Sequence, residues 1–113
     1  MDEGCVFCRI VAGELPADIV EVDDDTVVIR DINPQAPTHL LVIPKEHIPS
    51  ADKVEEPKVW AEIFDKATKV ARKLGLEKEG YRLVVNCGWK AGQTVFHLHA
   101  HLLSGRLLGW PPG

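Results

Sequence analysis

Between Pro57 and Leu74 the residues Val59, Trp60, Ile63, Phe64, Ala67, Val70, Ala71 and Leu74 recur at helical spacing. This stretch therefore carries one apolar face that another part of the chain must cover. Its ends agree with the period. Glu55 and Glu56 precede Pro57 at a first-turn position, Lys69, Arg72 and Lys73 crowd the last turn, and Gly75 follows as a C-cap. What can cover that face is mostly extended. Ile19 to Val22 and Thr26 to Asp31 are β-branched segments joined by Asp23-Asp24-Asp25, which reads as a hairpin. His39 to Ile43 is a third strand, entered through Asn33-Pro34-Gln35-Ala36-Pro37 and closed by Pro44. Tyr81 to Cys87 and Val95 to Leu103 read as a fourth and fifth, joined by the glycine-containing loop Gly88 to Thr94. A short helix over part of Val6 to Ala12 competes with a knuckle at Cys5-Val6-Phe7-Cys8, and the tail Gly109 to Gly113 has no regular pattern.

At 113 residues, with 45% hydrophobic and 27% charged content, the chain suits a single domain over residues 1–113, large enough to bury a core without disulfide staples. Thirteen Lys and Arg against seventeen Asp and Glu give a net charge of −4, which offers no field for wrapping nucleic acid. The longest run free of Asp, Glu, Lys and Arg, Ala91 to Gly105, is too short to span a bilayer, so no membrane partner is expected. Met1-Asp2-Glu3-Gly4 is acidic where a secretory signal would be basic, and the expected location is cytoplasmic. An odd count of cysteines, Cys5, Cys8 and Cys87, does not suit a disulfide framework.

Val95-Phe96-His97-Leu98-His99-Ala100-His101-Leu102-Leu103 alternates strictly. A strand would put Phe96, Leu98, Ala100 and Leu102 on one face and His97, His99 and His101 on the other. Same-face residues stand about 6.6 Å apart along a strand, so neighbouring imidazoles can meet while the outer pair, about 13 Å apart, cannot easily share one ion. Imidazoles titrate near neutrality, so one can attack while its neighbour moves a proton, and phosphorus is the electrophile such a row suits. A solvated face with incidental histidines is the alternative. Cys5-x-x-Cys8 has the spacing of a zinc knuckle, and closing a tetrahedral site needs two more ligands from His47, His97, Cys87 or elsewhere. Two small buried thiols would also explain the pair, and Cys87, inside the fourth strand, reads as packing.

His97-Leu98-His99-Ala100-His101-Leu102-Leu103 resembles the signature of the histidine-triad (HIT) superfamily. Asp31 to His39, Val42 to Ile48, Gly92 to Phe96 and the Trp110-Pro111-Pro112-Gly113 end resemble its histidine-triad nucleotide-binding branch. The resemblance covers essentially the whole chain. It implies an α+β HIT fold, a five-stranded mainly antiparallel sheet with one long and one short helix, assembled as a two-fold homodimer. It implies a purine nucleoside phosphoramidase that cleaves the P–N bond of adenosine or guanosine 5′-monophosphoramidates, and also aminoacyl adenylates.

Carried over by position, His99 would be the nucleophile, His101 would contact phosphate, and His39 would join the proton relay. Thr94 would assist the leaving amine where relatives usually have Ser. Asp31 would hold the ribose, and Asn86, Gln93 and Thr94 would contact ribose or phosphate. Val6, Phe7, Ile10, Ile29 and Ile32 would enclose the purine, with Ile29 replacing a more usual aromatic residue. Trp110 would reach across the dimer toward the partner's site. Cys5, Cys8, His47 and His97 would hold a structural zinc ion, with no cofactor needed for the chemistry. Three other readings share these residues: a nucleotide-binding regulator with little turnover, a zinc-holding interaction module, and a hydrolase of dinucleoside polyphosphates or adenylyl sulfates.

Overall fold

A computed structural model describes residues 4–113, so the acidic start Met1 to Glu3 lies outside the described residues. The elements run α1 (Val6–Val11), β1 (Ile19–Val22), β2 (Thr26–Arg30), β3 (Thr38–Pro44), α2 (Pro57–Lys73), β4 (Tyr81–Val84) and β5 (Ala100–Ser104), with 3₁₀ turns at Ala51–Lys53, Leu76–Lys78 and Trp89–Ala91. The strands form one sheet in the order β1-β2-β3-β5-β4, and all four pairings are antiparallel. This is the expected architecture of one five-stranded sheet, one long helix and one short one.

The period-2 alternation of the strands divides the molecule into two layers of side chains. Val28, Leu40, Val42, Ala100 and Leu102 face α2, whose Val59, Ile63, Ala67, Val70 and Ala71 are all buried against them. Each such larger side chain contributes roughly 1.5–3 kcal/mol by leaving water. The intervening residues Val27, Ile29, Leu41 and Ile43 turn to the opposite face, where α1 packs Cys5, Phe7 and Cys8. His39 and His101 share this second face by the same alternation, since His39 pairs with Leu103 and Leu41 with His101. The helix ends follow the local chemistry: Glu56 is the N-cap before Pro57, and Gly75, at φ 74°, donates its N–H to the Arg72 carbonyl.

The third strand runs one residue further at each end than the sequence reading and the fifth one residue further at its close, and three other strand ends differ more consequentially. The fifth strand, expected from Val95, begins at Ala100. Its partner β3 ends at Pro44, and residues 95–99 are tied elsewhere: Leu98 N–H donates to the Ile48 carbonyl at 2.7 Å, and the Gln93 side chain donates to the Val95 carbonyl at 3.1 Å. Phe96 is consequently 54% exposed instead of sharing a buried face with Leu98. The fourth strand stops at Val84, opposite His101 and one residue short of the start of β5. Cys87 therefore lies outside the sheet, exposed, with its thiol donating to Asp52 Oδ1 at 3.3 Å, so the packing role expected for it is not observed. The second strand ends at Arg30 because Asp31 Oδ1 accepts the Asn33 N–H at 2.8 Å and turns the chain.

Gly105, just past β5, has a φ of +101°, and a Cβ there would stand 2.8 Å from Pro37 Cβ. Alanine at this position should destabilise the fold by about 2–3 kcal/mol, from left-handed backbone strain plus overpacking against a rigid ring. Urea unfolding of Gly105→Ala checks this, and a midpoint equal to that of the native chain would contradict it.

Candidate functional site

The face that α1 covers holds an apolar cavity of about 230 Å³. Val6, Phe7, Ile10, Ile29, Ile32, Asp31, Thr94, His99 and His101 all line it, as do Arg30, Leu41 and Val95, which the sequence reading did not single out. Ile32 stands at the rim, 99% exposed. A larger groove, about 460 Å³, runs between Glu79–Arg82 and Gly105–Leu108, and no histidine or cysteine lines it. Size therefore does not locate the chemistry; the convergence of imidazoles and a carboxylate in an apolar slot does.

Three of the expected contact residues sit away from the cavity. Gln93 is 3% exposed, and its side chain is committed to the backbone. Its Oε1 accepts the Gly88 N–H at 2.9 Å, and its Nε2 donates to the Pro49 and Val95 carbonyls. It thereby closes the Gly88–Gly92 loop that delivers Thr94. Asn86 lies beside Gly92 at the base of the same loop and is not among the lining residues. Trp110 is 83% exposed and also lies outside this chain's own cavity.

Hydrogen-bond partners settle which nitrogen of each imidazole carries the proton, because a carbonyl only accepts and an amide N–H only donates. His99 Nδ1 donates to the His97 carbonyl at 2.8 Å, which leaves the lone pair of neutral His99 on Nε2. The Gln35 N–H donates to His39 Nδ1 at 3.0 Å, so neutral His39 carries its proton on Nε2 and passes it toward His101 Nδ1, 2.9 Å away. His101 in turn carries its own proton on Nε2. Asp31 Oδ2 lies 3.4 Å from His39 Nε2, so the carboxylate, His39 and His101 form one chain beside His99, whose ring centroid is 5.0 Å from that of His101.

Burial depresses the imidazoles of His39, His97, His99 and His101. It holds His39 and His99 below the usual histidine range against the opposing charge of Asp31. His101 is pushed down to about 4, by burial first and then by its two histidine neighbours. All three are neutral at pH 7. In the unfolded chain they bind protons at about 6.5, so the unfolded state takes up more protons as pH falls from there toward 4. Stability should be level above about pH 7 and should decline by at most about 1.4 kcal/mol per pH unit for each displaced histidine on acidification. Urea midpoints at about pH 7 and about pH 5 test the sign, and a higher midpoint in acid would contradict it.

A second cluster lies one layer deeper. Cys5 Sγ is 3.3 Å from His97 Nδ1, Cys8 Sγ is 3.2 Å from His47 Nδ1 and 3.5 Å from His97 Nδ1, and the two Nδ1 atoms are 3.2 Å apart. A tetrahedral ion at about 2.3 Å from sulfur and about 2.0 Å from nitrogen needs sulfur–nitrogen edges near ~3.5 Å and nitrogen–nitrogen edges near ~3.3 Å. The four distances above match, and all four donor atoms lie within 4.8 Å of one another. His97 Nε2 also donates to the Pro44 carbonyl at 2.7 Å, which leaves its Nδ1 lone pair facing the cluster, as a ligand requires. Burial raises the Cys5 thiol above its ordinary value, so a cation is what would hold that sulfur as thiolate. These four side chains could hold a metal ion.

Asp31, His39 and His101 also bring one donor atom each within 4.8 Å, but the same test separates them from the cysteine cluster. For His39 Nε2 to ligate, its proton would have to move to Nδ1, where the Gln35 N–H already points. That set is built as a proton chain.

The HIT domain model matches residues 12–108. Over its whole length the chain is 46% identical to an uncharacterized HIT-like protein of Synechocystis sp., also over that protein's whole length. It is 43% identical to the purine nucleoside phosphoramidase of Escherichia coli K12, over 96% of this chain and 93% of that one. Among solved structures, a HIT family hydrolase from Legionella pneumophila superposes with a TM-score of 0.94 at 49% identity, covering 96% and 99% of the two chains. A Zn-bound histidine triad family protein from Mycobacterium smegmatis gives a TM-score of 0.83 at 36% identity, covering 96% of this chain and 79% of that one. With a match over most of its length, and with His99 and His101 of the motif on one apolar cavity, the chain belongs to the HIT domain family.

Proposed function

We propose that the protein is a nucleotide hydrolase acting on purine nucleoside 5′-phosphoramidates and aminoacyl adenylates. The observation that carries this reading is the tautomer of His99: a buried imidazole on the cavity wall whose Nδ1–H is held by the His97 carbonyl, leaving Nε2 as a lone pair. The purine occupies the slot between Val6, Phe7, Ile10, Ile29 and Ile32, and Asp31 accepts from the ribose hydroxyls. His99 Nε2 attacks the α-phosphorus, the P–N bond breaks, and the amine leaves with a proton supplied on the Thr94 and His101 side. Water, its proton taken up by the His101–His39–Asp31 chain, then cleaves the nucleotidyl-histidine and releases the mononucleotide. The E. coli relative named purine nucleoside phosphoramidase supports the P–N substrate class.

Cys5, Cys8, His47 and His97 are assigned a structural zinc ion, which ties the amino-terminal helix to the segment before β5; the closed donor set leaves no open coordination position for substrate. The Zn-bound M. smegmatis relative supports this. The same reading includes a homodimer formed through β4, an edge strand with half-buried Tyr81 and Leu83, with Trp110 reaching the partner's site. It places the protein in the cytoplasm; no helix among the described residues is long and apolar enough to cross a membrane.

The test is hydrolysis of adenosine 5′-monophosphoramidate followed by chromatography of AMP. Release of AMP is expected. Tight AMP binding with no release from this substrate would instead favour a regulator, or a polyphosphate as the true substrate.

A further inference from the structure

Cys5 and His47, besides facing the cluster, line a second groove of about 320 Å³, together with Gly4, Thr94, Val95 and Phe96. Thr94 and Val95 line the nucleotide cavity as well, so the groove brings a small solute to the Cys5 side of the cluster from the mouth of the site. On the other side, the connection to His99 is short. His97 places Nδ1 3.3 and 3.5 Å from the two sulfurs, while its own carbonyl holds the His99 Nδ1–H. Phe7, between the two cysteines in sequence, rests edge-on to both rings, with centroids 5.8 Å from His97 and 5.1 Å from His99. Whatever moves the sulfurs moves both groups that orient His99.

We propose that Cys5 and Cys8 are a site of reversible two-electron oxidation by hydrogen peroxide, and that His97 and Phe7 transmit its state to His99. The oxidation stands on the cluster alone, whereas its effect on turnover rests on the function proposed above. The geometry suits the bond: Cys5 is the N-cap of α1 and Cys8 lies three residues on, with the Cys8 N–H donating to Cys5 Sγ at 3.4 Å. The Cys5 thiolate attacks one peroxide oxygen, the O–O bond breaks, and the departing hydroxide takes a proton to become water. The Cys8 thiolate then attacks the sulfenic sulfur, the S–O bond breaks, and a second hydroxide leaves and is protonated. Two sulfurs give up two electrons, peroxide accepts them, and two protons are consumed. A disulfide has no thiolate charge to offer a cation, so a bound metal ion is released and His97 Nδ1 loses its partners.

The experiment uses zinc-loaded Cys87→Ser protein, in which Cys5 and Cys8 are the remaining thiols, treated with hydrogen peroxide. Zinc release is read with a chromogenic chelator, thiols by titration, mass by spectrometry, and AMP affinity by calorimetry. The expected result is loss of both thiols with a mass decrease of two hydrogens, release of the zinc, and a fall in AMP affinity and turnover of about tenfold to a hundredfold. Dithiothreitol with added zinc should restore all of these. Retention of thiols and zinc overturns the proposal, as does a disulfide that forms with AMP affinity unchanged. If untreated protein hydrolyses no phosphoramidate, the functional reading fails, while zinc release and AMP affinity still decide this one.

Discussion

Replacing His99 with alanine should lower hydrolysis of adenosine 5′-monophosphoramidate by about 10³-fold or more while leaving AMP affinity within a few fold. No neighbouring group can take over. His101 carries its proton on Nε2 and gives its Nδ1 lone pair to His39, and His39 is bonded at both nitrogens. Binding should survive because the apolar walls and Asp31 are untouched. The ring of His99 does pack edge-on against Phe7, so some stability is lost with it. Circular dichroism and AMP calorimetry on the variant separate a folded, inactive protein from a damaged one. A folded His99→Ala protein that turns over at the native rate would remove the assignment of His99 as nucleophile.

The second large effect concerns stability. Zinc should raise the melting temperature of the native chain, and Cys8→Ser should abolish that rise. Cys8 is 1% exposed and approaches both His47 and His97, so its sulfur is central to the donor set. An ion present at a thousandfold over its Kd stabilises the folded state by about 4 kcal/mol, which is a large share of the total for a domain of this size. The site joins three remote stretches of chain, α1, the turn after β3 and the segment before β5, so its loss should loosen the wall of the nucleotide cavity as well. Calorimetric melting of both proteins, with zinc and with chelator, makes the comparison. Identical melting of the native chain in the two conditions would mean that these four side chains hold no ion of consequence.

Much of the site was legible because short motifs carry residue types that chemistry needs together. Cys5, Cys8, His47 and His97 converge as the resemblance implied, and nine of the residues expected around a nucleotide line one cavity. The departures share a cause. Strict alternation from Val95 to Leu103 suggested one histidine-bearing strand face, but alternation specifies only what a strand would do once paired. Pairing with β3 stops at Val42 opposite Ala100 although β3 runs on to Pro44, because the Leu98 N–H goes to the Ile48 carbonyl and the Pro44 carbonyl takes the His97 ring. The triad is therefore split: His101 belongs to the sheet, His99 to its approach, and His97 to the cysteine cluster. Gln93 reads as a ribose or phosphate contact by position, yet its side-chain amide braces the loop. Nothing in residue type distinguishes an amide that faces a ligand from one that faces a carbonyl.

By itself the sequence determined the long helix and the set of strands, because hydrophobic period and proline placement act locally and each points to one outcome. It also offered the side chains proposed for the chemistry. What only the tertiary structure decided is where each imidazole keeps its proton. The partners that decide it are the backbone groups of Gln35, Pro44 and His97, and every residue type carries the same backbone carbonyl, so no motif records them. Only folding brings those groups within hydrogen-bonding distance, and with them the difference in which ring nitrogen of His39, His97 and His99 is left with a lone pair.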